Sequence, residues 1–263
     1  MTSTSSVGGT RTATGSVTSN SATWPPTSTT SSVGYGSGLF AQDEMQVAEH
    51  PALGALREAL QARAGPTLTV ERGQPAPVLI TGVERRCRVA TDPDPAAGRP
   101  HGLYGNAFAR ADADAIRRAT TRIEPPTITN LIAMAAPSGG RGPYRGDTVG
   151  HILTTAFTGF RAARLESARH PAVGPRVVVH TGFWGCGAFG GNRVLVAMLQ
   201  VIAARLAELD RLVFYTIEPA GTRALEQGLT HLRDLAGDGP VAVSALIGRI
   251  VEQGFEWGMS DGT

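Results

Sequence analysis

The chain has 263 residues, 41% of them hydrophobic and 17% charged, which is enough for one sizeable domain or two small ones and for a core that needs no staple. Its two cysteines, Cys87 and Cys186, are too few for a secreted disulfide framework, so a reducing, cytoplasmic setting is the expectation. The formal charge of +2 arises from 24 arginines and no lysine, which excludes Schiff-base lysine chemistry and a Walker A loop and speaks against a nonspecific nucleic-acid binder.

Residues 1–30 are mostly Ser, Thr and Gly, and Arg11 is the one charged residue before Asp43. Such a composition buries too little apolar surface to offset ordering entropy, so it reads as a flexible tail, with order setting in near Trp24 and a single domain over residues 31–263. Leu53, Leu56 and Leu60 recur at helical spacing within Glu44–Arg63, a helix to be interrupted at Pro51. Thr67–Val70 and Val78–Val83 are short β-branched runs between Gly and Pro, as strands are. Asp112–Thr121 reads as a helix and Thr127–Ala135 as a strand. Asp147 opens a helix whose Val149, Ile152, Leu153, Ala156, Phe157 and Phe160 share a face. Val177–His180 is a strand, Asn192 caps an almost wholly apolar helix to Leu206, and Leu212–Ile217 is a strand. Arg223–Leu235 and Val241–Glu256 close the chain as helices. The longest apolar run, Val194–Ala204, is too short to cross a bilayer, and no charged start leads into an apolar stretch as in a secretory signal. No membrane partner is expected.

Strands alternating with helices predict an α/β fold with a mostly parallel sheet covered on both faces. Ligands of such sheets bind at the carboxyl ends of strands. The richest loop there runs from Thr181 to Asn192 and contains five glycines. Amide groups before a helix N-terminus suit a diphosphate, and Trp184 and Phe189 are costly in a mere turn but can wall a nucleotide groove. A tight packing turn is the plain alternative. Gly185, Gly187 and Gly190 also match the dinucleotide fingerprint, with Glu218 where a ribose-binding acid would lie, so a nicotinamide-dependent oxidoreductase is a rival reading. Six scattered histidines, without an HExxH pattern, give no support to a metal site.

The run Gly185-Cys186-Gly187-Ala188-Phe189-Gly190-Gly191, preceded by Thr181-Gly182 and Trp184, resembles the TGNWGCGAFGG loop of the poly(ADP-ribose) glycohydrolases, members of the macrodomain superfamily. The family's upstream signature, a glycine triplet followed by Gln-Glu-Glu, is similar to Gly34-Tyr35-Gly36-Ser37-Gly38 and Gln42-Asp43-Glu44, and its aromatic strand resembles Val213-Phe214-Tyr215-Thr216. This chain departs from the pattern in Phe183, which stands for the family asparagine, in spaced instead of consecutive glycines, and in Asp43. A further family asparagine has its nearest counterpart in Asn20.

The resemblance implies a divergent member: a macrodomain-like three-layer α/β/α sandwich with a mostly parallel mixed sheet, hydrolysing O-glycosidic ribose bonds of poly(ADP-ribose) or a related ADP-ribosyl conjugate and needing no cofactor. It implies Glu44 as general acid/base, Asp43 orienting the ribose and Gln42 beside them. It gives Gly34, Gly36, Gly38, Gly182, Phe183, Trp184, Gly185, Cys186, Gly187, Ala188, Phe189 and Gly190 to the substrate, with Phe214 or Tyr215 against the adenine. Chemistry agrees with that assignment, because cleavage at ribose builds an oxocarbenium-like transition state that a carboxylic acid assists, and two close carboxylates drive one pKa upward. The same acids would also suit the first turn of any helix. The expected partner is ADP-ribose or an ADP-ribosylated protein or polymer, bound by a monomer, and a macrodomain that binds without hydrolysing is the alternative.

Overall fold

A computed structural model describes residues 40–63, 65, 68–136, 139–169 and 175–260, together with the backbone of 11–18. Gly34, Gly36, Gly38, Asn20 and Trp24 lie outside the described residues. The elements in chain order are strand β1 (Arg11–Thr18), helices α1 (Gln42–Glu49) and α2 (Ala52–Ala62), and the short strands β2 (Val70–Glu71) and β3 (Gln74–Pro75). The long strand β4 (Val78–Val89), helix α3 (Ala113–Ala119) and strand β5 (Thr120–Ala135) follow. The second half runs α4 (Gly146–Ala168), β6 (Val177–Thr181), α5 (Arg193–Leu206), β7 (Arg211–Phe214), α6 (Pro219–Ala236) and α7 (Val243–Glu252).

The main sheet has the order β4-β5-β1-β6-β7. β5, β1, β6 and β7 run parallel, and β4 joins as an antiparallel edge strand, so the sheet is mixed and mostly parallel. Alternation along β5 sends neighbouring residues to opposite faces. Ile132 and Met134 join Val149, Ile152 and Phe160 of α4 and Leu195, Met198 and Leu199 of α5 in the larger core. Leu131 and Ala133 face the other way, with Ile80 and Val83 of β4, Val47 of α1 and Leu53 of α2. The result is helix, sheet and helix in three layers, each buried aliphatic side chain contributing about 1.5–3 kcal/mol.

Several elements differ from the sequence reading. Arg11–Thr18, expected within a flexible tail, is the middle strand of the sheet: Ala13–Thr18 pairs with Asn130–Ala135, and Arg11–Thr14 pairs with Val177–His180. Pairing on both sides satisfies its backbone groups, which outweighs a composition poor in the apolar residues usual for a central strand. β4 and β5 are each longer than expected because they extend one another as a ladder beyond the covered sheet, Val89 opposite Thr120. That ladder also ends α3 before Thr120. α7 stops at Glu252 instead of Glu256, since Gly254 takes φ +68°, the left-handed turn that terminates helices. Residues 255–260 then run on as an extended segment.

Candidate active site

Asp43 and Glu44 fall in the first turn of α1, where Ala41 has no side-chain oxygen to cap the helix. Glu44 substitutes by reaching back, its Oε2 accepting from the Ala41 amide at 3.0 Å. Both carboxyl groups are buried, at 6% and 7% exposure, and they share a hydrogen bond. Burial first, then the Asp43 hydrogen bond and its charge, push Glu44 up to about 8, against the lowering effect of the backbone amides. A helix terminus is worth about 0.3–1 kcal/mol to an anion, whereas each pKa unit is about 1.4 kcal/mol, so burial wins and Glu44 carries its proton at neutral pH. Gln42, by contrast, is exposed.

The platform under this acid is itself polar and buried. Glu49, at the far end of α1, accepts from the Val89 amide at 2.9 Å and pairs with Arg85 at 2.7 Å, tying the helix to β4. The Nδ1 of His50 donates to the Gln46 carbonyl at 2.8 Å, and burial lowers the pKa of this histidine. At the start of α1, Phe40 forms a bridge with Gly105 and stacks on Phe108 with ring centroids 4.3 Å apart.

The glycine loop leaves the carboxyl end of β6 and enters α5, whose N-cap Asn192 accepts from the Leu195 amide at 3.1 Å. Gln200 fixes its first residues. Fully buried in an otherwise apolar helix face, Gln200 donates to the Gly182 carbonyl at 2.9 Å and accepts from the Thr181 hydroxyl at 2.6 Å. The loop is less open than a run of bare amides: those of Trp184, Cys186, Gly190 and Gly191 bond back to Gly182, Phe183, Gly187 and Gly185 within it.

Several residues expected to line the ligand turn inward. Trp184 and Cys186 are buried in the larger core, where the area covered by an indole outweighs its use as a groove wall. Phe183 packs edge-on against Phe214 at 5.0 Å, beneath the Arg193 guanidinium at 5.4 Å. Phe189 leans on the same core. Glu218, the ribose acid of the oxidoreductase reading, is ion-paired with Arg193. Gly182, Gly185, Gly187 and Ala188 remain in the loop as expected, at the carboxyl edge of the sheet.

Gly190 is required by the protein's own packing. At φ +63° it admits the C-terminal segment so closely that a Cβ would stand 2.7 Å from the Gly258 carbonyl, and the Gly258 amide donates to Gly190 at 2.7 Å. Around this contact Tyr144 stacks on Trp257 at 4.3 Å, the Tyr144 hydroxyl accepts from the Asn192 amide at 3.0 Å, and Asn192 donates to the Glu256 carbonyl at 3.1 Å. Burial pushes the Tyr144 phenol up to about 12, so it stays a neutral acceptor. The loop after β5, the glycine loop and residues 255–260 thus form one knot at the sheet edge. Trp257 and Gln200 shape this edge of the sheet and carry no assignment in the sequence reading; the signal for Gln200 was its isolation in an apolar helix.

Strand register sorts Phe214 from Tyr215. Thr181 pairs with Phe214 and points to Gln200 of α5, so Phe214 lies on the α5 face. His180 pairs with Val213, and the Thr14 position pairs with both His180 and Leu131, so His180, Val213 and Tyr215 share the face on which α1 packs. Tyr215 is 52% exposed there. Ile217, two residues on, is 92% exposed and at φ +66°, a strained conformation for a β-branched residue.

Residues 98–224 match the family model described as poly(ADP-ribose) glycohydrolase, macro domain fold. The layered sheet is therefore a macrodomain. Over that stretch the chain is similar to the poly(ADP-ribose) glycohydrolase family, and the matched segment contains the glycine loop, β6 and β7, with the acid pair upstream of it. Among solved structures, it is similar to poly(ADP-ribose) glycohydrolase from Thermomonospora curvata bound to the inhibitor ADP-HPD, at 19% identity over 83% of this chain and 71% of that one, with a TM-score of 0.46. Another structure of that protein gives 20% identity over 84% and 69%, with a TM-score of 0.40. A macrodomain from Oceanobacillus iheyensis with MES bound gives 11% identity over 86% of both chains and a TM-score of 0.43. Among the described residues no helix is long and apolar enough to cross a membrane.

Proposed function

We propose that the chain is an ADP-ribosyl glycohydrolase that cleaves the O-glycosidic bond at an ADP-ribose unit, of poly(ADP-ribose) or a related conjugate, and releases ADP-ribose. The observation that carries this reading is the buried Asp43–Glu44 pair, whose Glu44 holds a proton to about pH 8 on the sheet face shared with Tyr215. An acid that is protonated at the working pH can give its proton to the leaving oxygen as the ribose C1–O bond breaks. The carboxylate left behind then takes a proton from the water that attacks the oxocarbenium carbon, and Glu44 returns to its starting state. Asp43, hydrogen-bonded to Glu44, orients the ribose and keeps the two groups from ionising together.

The diphosphate sits over the crown of the glycine loop, Gly187 to Phe189, before the N-terminus of α5, where amide dipoles favour an anion. Tyr215, on the α1 face, is the aromatic turned to the ligand, because Phe214 is committed to Phe183. The protein acts as a single macrodomain in which residues 31–263 are joined by β1 (Arg11–Thr18), the middle strand of its sheet.

The test is release of ADP-ribose from automodified poly(ADP-ribose), wild type against Glu44→Gln, with ADP-ribose affinity of both followed by calorimetry. Release lost in the variant with affinity kept supports the assignment. Affinity without release in the wild type marks a binding module or an enzyme of another ADP-ribosyl linkage, and absence of both overturns the reading.

A further inference from the structure

We infer that His180 is a positioning residue that fixes the Tyr215 ring in its ligand-facing orientation, and thereby sets substrate affinity without touching the reacting atoms. The inference rests on the reading that Tyr215 faces the ADP-ribosyl ligand. Tyr215 lies one residue beyond β7, and its backbone is held by its amide donating to the Thr181 carbonyl at 2.9 Å. Its side chain has no such restraint from the core, being 52% exposed. A half-exposed ring at a strand end samples several rotamers, and each must be lost when a ligand stacks on it.

His180 removes that freedom beforehand. It projects from the adjacent strand on the same face, its Nδ1 lies 2.8 Å from the Tyr215 hydroxyl, and the two rings stack at 5.6 Å between centroids with 27° between planes. A hydrogen bond at the far end of the phenol and a ring contact along it hold both side-chain torsions. With about half of its surface exposed, the phenol still offers area to a planar partner. The histidine is otherwise unexplained: its strand neighbours Val177 and Val179 go to the larger core, whereas a buried valine-like residue would suffice at 180 if packing were its only task.

The experiment compares wild type with His180→Phe, Tyr215→Phe, the double variant and His180→Gln, reading ADP-ribose affinity by calorimetry, KM and kcat on polymer, and Tm. Preorganising one side chain is worth about 3–10-fold in affinity. His180→Phe keeps a ring but loses the hydrogen bond, so KM and Kd should rise by about that factor with kcat kept. Tyr215→Phe should weaken affinity equally, the double variant no further, and His180→Gln, whose amide still reaches a hydroxyl, should recover most of the loss. Since the pair is exposed, Tm should move little. Unchanged affinity in His180→Phe, or losses that multiply in the double variant, would overturn the inference while wild-type binding leaves the functional reading standing. Failure of wild type itself to bind ADP-ribose removes that reading and this inference together.

Discussion

Replacing Glu44 by Gln separates what its proton does for catalysis from what it does for stability. The amide keeps the shape and can still donate to Asp43, but it can neither give up a proton nor become charged. In the wild type Glu44 is raised to about 8 from an ordinary 4.5. Between those values the folded protein holds a proton that the unfolded chain has released, so stability falls as pH rises through the window and is fully depressed above pH 8. The whole shift would correspond to a ceiling of about 5 kcal/mol, of which a comparison of pH 6 with pH 9 samples only the part below the raised pKa, and relaxation around the ionised carboxyl brings the usable effect to about 1–2 kcal/mol. Urea unfolding at pH 6 and pH 9 measures it. Wild type should lose about 1–2 kcal/mol relative to Glu44→Gln across that range, while polymer hydrolysis by the variant drops about 10²–10⁴-fold and wild-type turnover declines above pH 8. A stability difference between the two proteins that stays flat from pH 6 to pH 9 would refute the account of Glu44 as a buried, protonated acid.

Three further substitutions test the scaffold around the site. Gln200→Leu strands the Gly182 carbonyl and the Thr181 hydroxyl, so unfolding should cost about 2–4 kcal/mol less, and ADP-ribose affinity should fall with it; a Tm loss without an affinity loss would detach Gln200 from the loop's function. Trp257→Ala removes the stack on Tyr144 and loosens the C-terminal segment, lowering stability by about 2–4 kcal/mol and raising amide exchange at Gly190 and Gly258; protection left intact there would show that the knot does not depend on the indole. Arg85→Met leaves the buried Glu49 carboxylate without its cation and should destabilise by about 1–3 kcal/mol. Glu49→Gln on that background should restore part of the loss, and no recovery in denaturant melts would argue that the pair does not hold α1.

How much of the molecule could be read from the chain depended on how local the physical demand is. The glycine loop was legible because several positions in a dozen residues must tolerate close backbone contact, and few other sequences satisfy that. The break at Pro51 followed from proline geometry for the same reason. β1 was not legible, because its place is fixed by ladders to β5 and β6, whose residues lie more than a hundred positions away, and nothing in a Thr-rich octet announces that pairing. The end of α7 was legible in principle at Gly254 but was overrun, since Phe255 and Trp257 continue an apolar pattern that serves the knot with Tyr144 instead of a helix face. The glycines teach the finer distinction. Gly140 and Gly190 are required by Trp257 and by the Gly258 backbone, whereas Gly182, where an added methyl would meet only the Tyr215 carbonyl at an ordinary 3.5 Å, is not required by packing. A motif's residues share a loop without sharing a cause: in this one Gly190 answers to the chain's own C-terminal segment, and Gly182 does not.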